Sequence, residues 1–90
     1  DNIRIYPNPA SDILQIDFLQ NITGTISIQL SNSKGQVVYS KEIVIYGYGH
    51  IEKINVKHFA QGEYTLYLQR KIPGSGLYES QPAVYKIVKF

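Results

Sequence analysis

The residues best suited to chemistry are two histidines and a glutamate in the middle of the chain, His50, Glu52 and His58. Imidazole nitrogens and carboxylate oxygens are zinc ligands, and His50 and Glu52 share one face of a predicted strand because alternate side chains project to the same side. Catalytic zinc normally has three protein ligands, and no third residue lies at a spacing that would complete the set. The sequence therefore predicts no metal site and no cofactor.

The other patterns associated with catalysis are incomplete. The serine of Gly74-Ser75-Gly76 is not in the Gly-x-Ser-x-Gly turn that presents a nucleophile, and no phosphate-binding loop is present. Asp12 and Asp17 are interpreted as a turn residue and a solvent-facing strand residue rather than as an acid–base pair. We therefore expect a protein that is not an enzyme.

Composition narrows the class of protein and its partners. The 90 residues are 43% apolar and 18% charged, which suits one compact domain with a single core. A net charge of +2 favours neither nucleic acid nor an anionic membrane as partner, and no apolar run approaches the ~20 residues of a membrane-spanning helix. No cysteine is present, so a disulfide framework is excluded. The chain begins with Asp1, and we expect residues 1–90 to be one domain of a longer protein.

The alternation of apolar and polar residues predicts the secondary structure elements that carry the candidate side chains. Ile26, Ile28 and Leu30 lie on one face of a predicted strand with polar residues opposite, which is typical of an antiparallel sheet with one buried face. Similar segments recur between Gly, Asn, Ser and Pro residues. The strand after the first clear hairpin signal is mixed, because Lys41 shares a face with Ile43. The sequence predicts an all-β fold, an antiparallel sandwich of about seven strands.

The most constrained stretch is Tyr6-Pro7-Asn8-Pro9-Ala10-Ser11-Asp12. Each proline fixes its own φ and disfavours the helical region for the residue before it, and Asn8 and Asp12 can turn the chain by bonding nearby backbone groups. The sequence predicts a rigid corner here, which we expect to give the first strand a different partner from the second. Two roles for this corner remain open, a structural turn and direct contact with a partner protein.

Two further segments are expected to stabilise the structural frame of the sandwich. Asn32-Ser33-Lys34-Gly35 is a hairpin signal in which Gly35 supplies a positive φ. The pattern Phe59-x-x-Gly62-x-Tyr64 indicates a connection between sheets, with the Tyr64 hydroxyl bonded to loop backbone as in the tyrosine corner of immunoglobulin-like sandwiches.

The last predicted strand is apolar on both faces. We expect Tyr85 and Ile87 to face the core and Val84, Val88 and Phe90 to be partly exposed, with two lysines, Lys86 and Lys89, protecting a sheet edge. A terminal strand of this kind is a candidate for recognition, because a partner can pair along its edge.

Eight tyrosines favour a different function. Exposed aromatic rings can stack on flat faces such as those of sugars, and Tyr46, Tyr48 and Tyr78 lie in or beside predicted loops. An accessory carbohydrate-binding module is therefore an alternative, and a plain spacer domain is another, since tyrosine is also common in strands for packing reasons.

The order of these motifs resembles the C-terminal sorting domains of the type IX (Por) secretion system of Bacteroidetes. The resemblance covers nearly the whole chain and rests on four motifs in family order: Tyr6-Pro7-Asn8-Pro9-Ala10-x-Asp12-x-Leu14-x-Ile16, Asn32-x-x-Gly35-x-Val37-Val38, Phe59-x-x-Gly62-x-Tyr64-x-Leu66 and Tyr85-Lys86-Ile87-Val88-Lys89. Two features depart from the family pattern. Phe59 stands where leucine is more common, and the predicted loop over residues 72–82 is longer than in many members.

The resemblance implies an immunoglobulin-like fold and a non-catalytic role. Such domains follow secreted cargo in the same chain and are read by the outer-membrane type IX machinery after Sec export. Many are then removed by a sortase-like peptidase, so the cargo is released or attached to the cell surface. By this resemblance we expect the machinery to read the tail, Tyr85, Lys86, Ile87, Val88, Lys89 and Phe90, and we expect the frame to depend on Tyr6, Pro7, Asn8, Pro9, Asp12, Gly35, Gly62 and Tyr64.

Overall fold

The computed structural model describes residues 3–19, 22–47, 49–72 and 74–90. Within these residues, the segments with alternating apolar and polar side chains form seven strands. The strands are β1 (Ile3–Tyr6), β2 (Ile13–Phe18), β3 (Thr23–Asn32), β4 (Val37–Tyr46), β5 (His50–Asn55), β6 (Gly62–Arg70) and β7 (Ala83–Lys89). The described residues include no helix long and apolar enough to span a bilayer.

The strands form two antiparallel sheets, one of three strands in the order β1-β2-β5 and one of four in the order β4-β3-β6-β7. This arrangement confirms the predicted all-β class and is consistent with an immunoglobulin-like sandwich. The expectation that the corner separates the partners of the first two strands is wrong. Instead β1 pairs with β2 itself, from Ile3 opposite Phe18 to Tyr6 opposite Gln15.

One apolar cluster fills the space between the sheets. The small sheet contributes Leu14, Ile16 and Phe18 from β2, each at most 1% exposed, because alternate residues of a strand project to the same face. The larger sheet contributes inward-facing residues from all four of its strands, among them Ile26, Ile28, Leu30, Ile43, Ile45, Leu66, Leu68 and Ile87. Burying each such side chain stabilises the fold by about 1.5–3 kcal/mol, so alternation and burial together explain why the sheets face each other.

Local motifs form as the sequence predicts. The β3–β4 hairpin turns at Gly35, whose φ is +81°, and the Gly35 amide donates to the Asn32 carbonyl at 3.0 Å. The Tyr64 hydroxyl donates to the Ala60 carbonyl at 2.6 Å, which confirms the predicted tyrosine corner. The Phe59 ring lies 5.8 Å from the Tyr64 ring, so the aromatic residue that replaces leucine packs on the corner tyrosine.

Between β6 and β7 lies the predicted long loop, which folds back toward the larger sheet. Lys71 and Tyr78 form an isolated antiparallel bridge, and the Glu79 amide donates to the Arg70 carbonyl at 2.8 Å. The loop therefore continues the end of β6 for a short distance before β7 begins.

Candidate functional site

The Pro-Asn-Pro corner and the last strand form one surface. Residues 7–10, which we call the strap, leave the small sheet after β1, reach the outer edge of β7 in the larger sheet, and lead back to β2. Both proline bonds of the strap, Tyr6–Pro7 and Asn8–Pro9, are cis. The strap thus connects the two sheets although the strands on either side of it belong to the same one.

Asn8 bonds to β7 through its side chain. Its Nδ2 donates to the Lys86 carbonyl at 2.9 Å, and the Val88 amide donates to its Oδ1 at 3.0 Å. A carboxamide presents one donor and one acceptor side by side, as a peptide group does. Asn8 therefore takes the place that a peptide of a neighbouring strand would occupy.

Ala10 continues the same contact through its backbone. Its amide donates to the Val88 carbonyl at 2.8 Å, and the Phe90 amide donates to the Ala10 carbonyl at 2.9 Å. These bonds form a short parallel bridge beside Lys89, and the Ala10 side chain is fully buried. A larger side chain would have to displace core residues, which explains why a small residue stands at this position.

The strap covers the outer edge of β7 from the Lys86 carbonyl to the Phe90 amide. A partner can add a strand along an edge only where backbone groups are free. In the folded domain, strand addition over this part of β7 therefore requires the strap to leave. Side chains on the outer face of β7 are accessible without any such change.

The six tail residues predicted for recognition divide into two sets. Lys86, Val88 and Phe90 point outward together with Val84, and we call these four residues the β7 stripe; Val84 and Phe90 are 53% and 65% exposed. Tyr85, Ile87 and Lys89 point inward, and of these Tyr85 and Ile87 confirm the predicted core face.

The prediction that two lysines shield the edge of β7 is wrong for Lys89. Its side chain is on the inner face and the residue is only 8% exposed, with Nζ donating to the Phe90 carbonyl. Lys86 alone is exposed. The parity of the strand decides this, because Lys89 follows Ile87 by two residues and must project to the same side.

The predicted frame residues lie on both sides of this surface. Gly62 and Tyr64 of β6 stand opposite Lys89 and Ile87 of β7, so the tyrosine corner supports the strand that the strap covers. Gly35 lies in the β3–β4 hairpin.

Asp12 and Tyr6 secure the two ends of the strap. The Val56 amide donates to the Asp12 carbonyl at 2.8 Å. The Tyr6 hydroxyl donates to the Asp17 carboxylate at 2.7 Å, and Gln15 Nε2 donates to the Tyr6 oxygen at 2.6 Å. The bond to Asp17 raises the pKa of Tyr6, and the bond from Tyr6 lowers the pKa of Asp17. Asp17 therefore serves as a hydrogen-bond acceptor on the strand surface.

The histidine and glutamate singled out for metal binding lie in an ion-pair network. Glu52 is 7% exposed; its Oε1 is 3.0 Å from His50 Nε2 and its Oε2 accepts a bond from Lys41 Nζ at 2.7 Å. His58 is exposed in the connection after β5. Within the described residues, no group of three His, Cys, Asp or Glu side chains is placed to hold a metal ion. The cation beside Glu52 is a lysine from the other sheet.

The sequence contains a signal for the Lys41–Glu52 ion pair that a metal-ligand pattern does not include. Lys41 interrupts an apolar face of β4, and Glu52 occupies an inward position of β5. A glutamate at a buried strand position and a lysine on the core-side face of another strand indicate a partnership, because an unpaired buried charge is costly. Burial alone would raise the pKa of Glu52, but the bonds from Lys41 and His50 outweigh it and hold that pKa below its ordinary value.

The tyrosines proposed for sugar stacking lie apart. Tyr46 is 76% exposed at the end of β4, whereas Tyr78 is half-buried against the larger sheet. Tyr48 lies outside the described residues.

Replacing Asn8 by alanine tests the strap. Two hydrogen bonds are lost, and we expect the free energy of unfolding to fall by about 1–2 kcal/mol, measured by urea denaturation. Hydrogen exchange of the Val88 amide should accelerate more than that of the Phe90 amide, whose acceptor is backbone. Ser11→Ala, an exposed change in the same connection, is the control; equal protection of Val88 in both variants would contradict the assignment.

Comparison with known proteins identifies the family. The sequence model of the secretion system C-terminal sorting domain matches residues 4–73, which is 70 of the 90 residues. The match includes the strap and strands β2 to β6 and ends before β7. No curated protein and no solved structure shows significant similarity. The chain therefore belongs to the C-terminal sorting domains of the type IX (Por) secretion system.

Proposed function

We propose that this domain is a non-catalytic export signal whose recognised surface is the β7 stripe, held in place by the strap. Family membership supports sorting by the type IX machinery and export to the outside of the cell or its surface. The observation that carries the assignment to β7 is the pair of contacts from Asn8 and Ala10, which occupy the strand's edge and leave its outer face accessible.

The chemistry of the stripe indicates the chemistry of its partner. Val84, Val88 and Phe90 expose apolar surface on the same face of the strand as the exposed Lys86. Apolar contacts beside one charge suit a partner surface with an apolar patch and a carboxylate, because burial supplies affinity while the ion pair supplies orientation. We therefore place the outer-membrane receptor on this face and assign Tyr85, Ile87 and Lys89 to positioning rather than contact.

The remaining steps are proposals drawn from the family. A cargo domain precedes this one in the same polypeptide, and a sortase-like peptidase separates the two after export. Release of the cargo or its attachment to the surface follows.

A reporter fusion tests the function. The 90 residues are placed behind a Sec signal and a fluorescent protein and expressed in a bacterium with a working type IX system. We expect fluorescence in the medium or on the cell surface, and loss of export when residues 85–90 are deleted. A reporter that stays in the periplasm with the intact domain would reject the sorting function. A domain that folds but supports no export would instead be a spacer.

A further inference from the structure

We propose that the outer face of the larger sheet carries a binding groove for a neutral glycan, independent of the export function. The groove has a volume of about 280 Å³ and lies on the three contiguous strands β4, β3 and β6. It is lined by Ser27, Gln29, Ser40, Glu42, Tyr67, Gln69 and Tyr78. Its volume approaches the ~300 Å³ lower limit of small-molecule sites, which suits one or two sugar units of a longer chain.

The sheet register builds the floor of the groove from two adjacent rows of side chains. One row runs from Glu42 through Ser27 to Gln69, and the next runs from Ser40 through Gln29 to Tyr67. Neighbouring strands lie about 4.8 Å apart, so each row places three polar side chains side by side along the floor of the groove. The ring of Tyr67 stands at one corner of this floor.

The loop after β6 supplies the opposite corner. The Tyr78 hydroxyl donates to the Glu42 carboxylate, and Lys71 Nζ lies 5.5 Å from the centre of the Tyr78 ring. The bridge between Lys71 and Tyr78 holds the same segment through its backbone. The second aromatic ring is therefore fixed before a ligand arrives, which reduces the entropy lost on binding.

The lining selects the class of ligand. Hydroxyl and amide groups both donate and accept hydrogen bonds, and tyrosine rings offer flat apolar faces; a sugar presents the complementary hydroxyls and C–H faces. The negative charge of Glu42 is balanced, because its carboxylate accepts a hydrogen bond from the Tyr78 hydroxyl and lies 4.0 Å from Lys71 Nζ. A balanced groove favours a neutral ligand over a polyanion such as nucleic acid.

Strand addition does not account for this surface. The groove lies on the face of the sheet across β4, β3 and β6, and β3 and β6 are each paired on both sides, so a peptide strand could add only along the outer edge of β4 and not within the groove. The family match ends at residue 73, and Tyr78 lies beyond it. Membership of the family therefore does not account for the loop that completes the groove.

Affinity electrophoresis of the 90-residue chain tests the proposal. Native gels containing laminarin, mannan, xylan or dextran are compared with a gel without polysaccharide. We expect retardation by at least one of these neutral polymers. Loss of one stacking ring should weaken binding roughly three- to tenfold, so Tyr67→Ala should migrate faster in that gel.

Two further variants test whether the sugar binds in this groove. Gln29→Ala removes an exposed floor amide and should also weaken binding while leaving the fold intact, as checked by circular dichroism. Tyr46→Ala removes an exposed tyrosine outside the groove and should bind like the parent. Absence of retardation by every neutral polymer, retardation only in dextran sulfate, or loss of binding in Tyr46→Ala alone would each overturn the proposal.

Discussion

The double change Lys86→Glu and Phe90→Ser will hold a secreted reporter in the periplasm while leaving the domain folded. Both side chains point outward from β7 and Phe90 is 65% exposed, so we expect the free energy of unfolding to change by less than about 0.5 kcal/mol. The hydrogen bond between the Phe90 amide and the strap is made by backbone and survives the change. A carboxylate in place of the ammonium group would face the proposed acidic partner, and such like-charge contacts cost several kcal/mol. Export should therefore fall by roughly tenfold or more.

A matched pair of substitutions controls this result. Lys53→Glu and Ile51→Ser make the same charge reversal and a comparable apolar-to-serine change on β5, where Ile51 is 56% exposed on the outer face of the small sheet. Export of this control should equal that of the parent. Secreted and periplasmic reporter are quantified by fluorescence of the two fractions, and urea denaturation compares stability. Normal export of the β7 variant would remove the stripe from the recognised surface.

Lys41→Met will destabilise the domain by about 1–3 kcal/mol at pH 7. Glu52 has a side chain only 9% exposed, and removing its lysine partner leaves a carboxylate with His50 as its remaining neighbour. A buried charge without its partner is strongly unfavourable, although the loss is reduced here because Lys41 itself is 51% exposed. The double variant Lys41→Met/Glu52→Leu should recover most of the stability, since an apolar pair needs no compensating charge.

The same pair predicts a pH dependence with a defined sign. The folded state holds the pKa of Glu52 below its ordinary value. The stability that Glu52 contributes is therefore fully present above about pH 4.5 and is lost as pH falls through the lowered pKa. The hydrogen bond to Glu52 raises the pKa of Lys41, so that contribution is lost as pH rises above 10.5. Urea denaturation from pH 2 to 7 should show a steeper acid loss for the parent than for the double variant. Parallel curves would mean that the pair contributes nothing to stability.

Much of the fold was predictable because its signals are local. Alternation along β3 determines which side chains face the core, and the glycine of the Asn32–Gly35 turn permits the positive φ that the hairpin requires. The corner tyrosine bonds a carbonyl only four residues away. The division of β7 into an inner and an outer face also followed from period-two alternation, and the same alternation places Lys89 on the inner face, away from the edge role that its charge suggested.

The site was less predictable because its contacts join distant parts of the chain. Asn8 and Lys86 are 78 residues apart, and the hydrogen bond between them exists only because the strap crosses to the sheet that contains β7. Lys41 and Glu52 meet because the sheet that contains β4 and the sheet that contains β5 face each other in the sandwich. The same apolar–polar alternation within each strand is compatible with many different orders of the strands in a sheet. The sequence by itself therefore determined the strands, their buried faces and the family, whereas the order of strands in the tertiary structure decided that the proline corner closes the edge of the last strand.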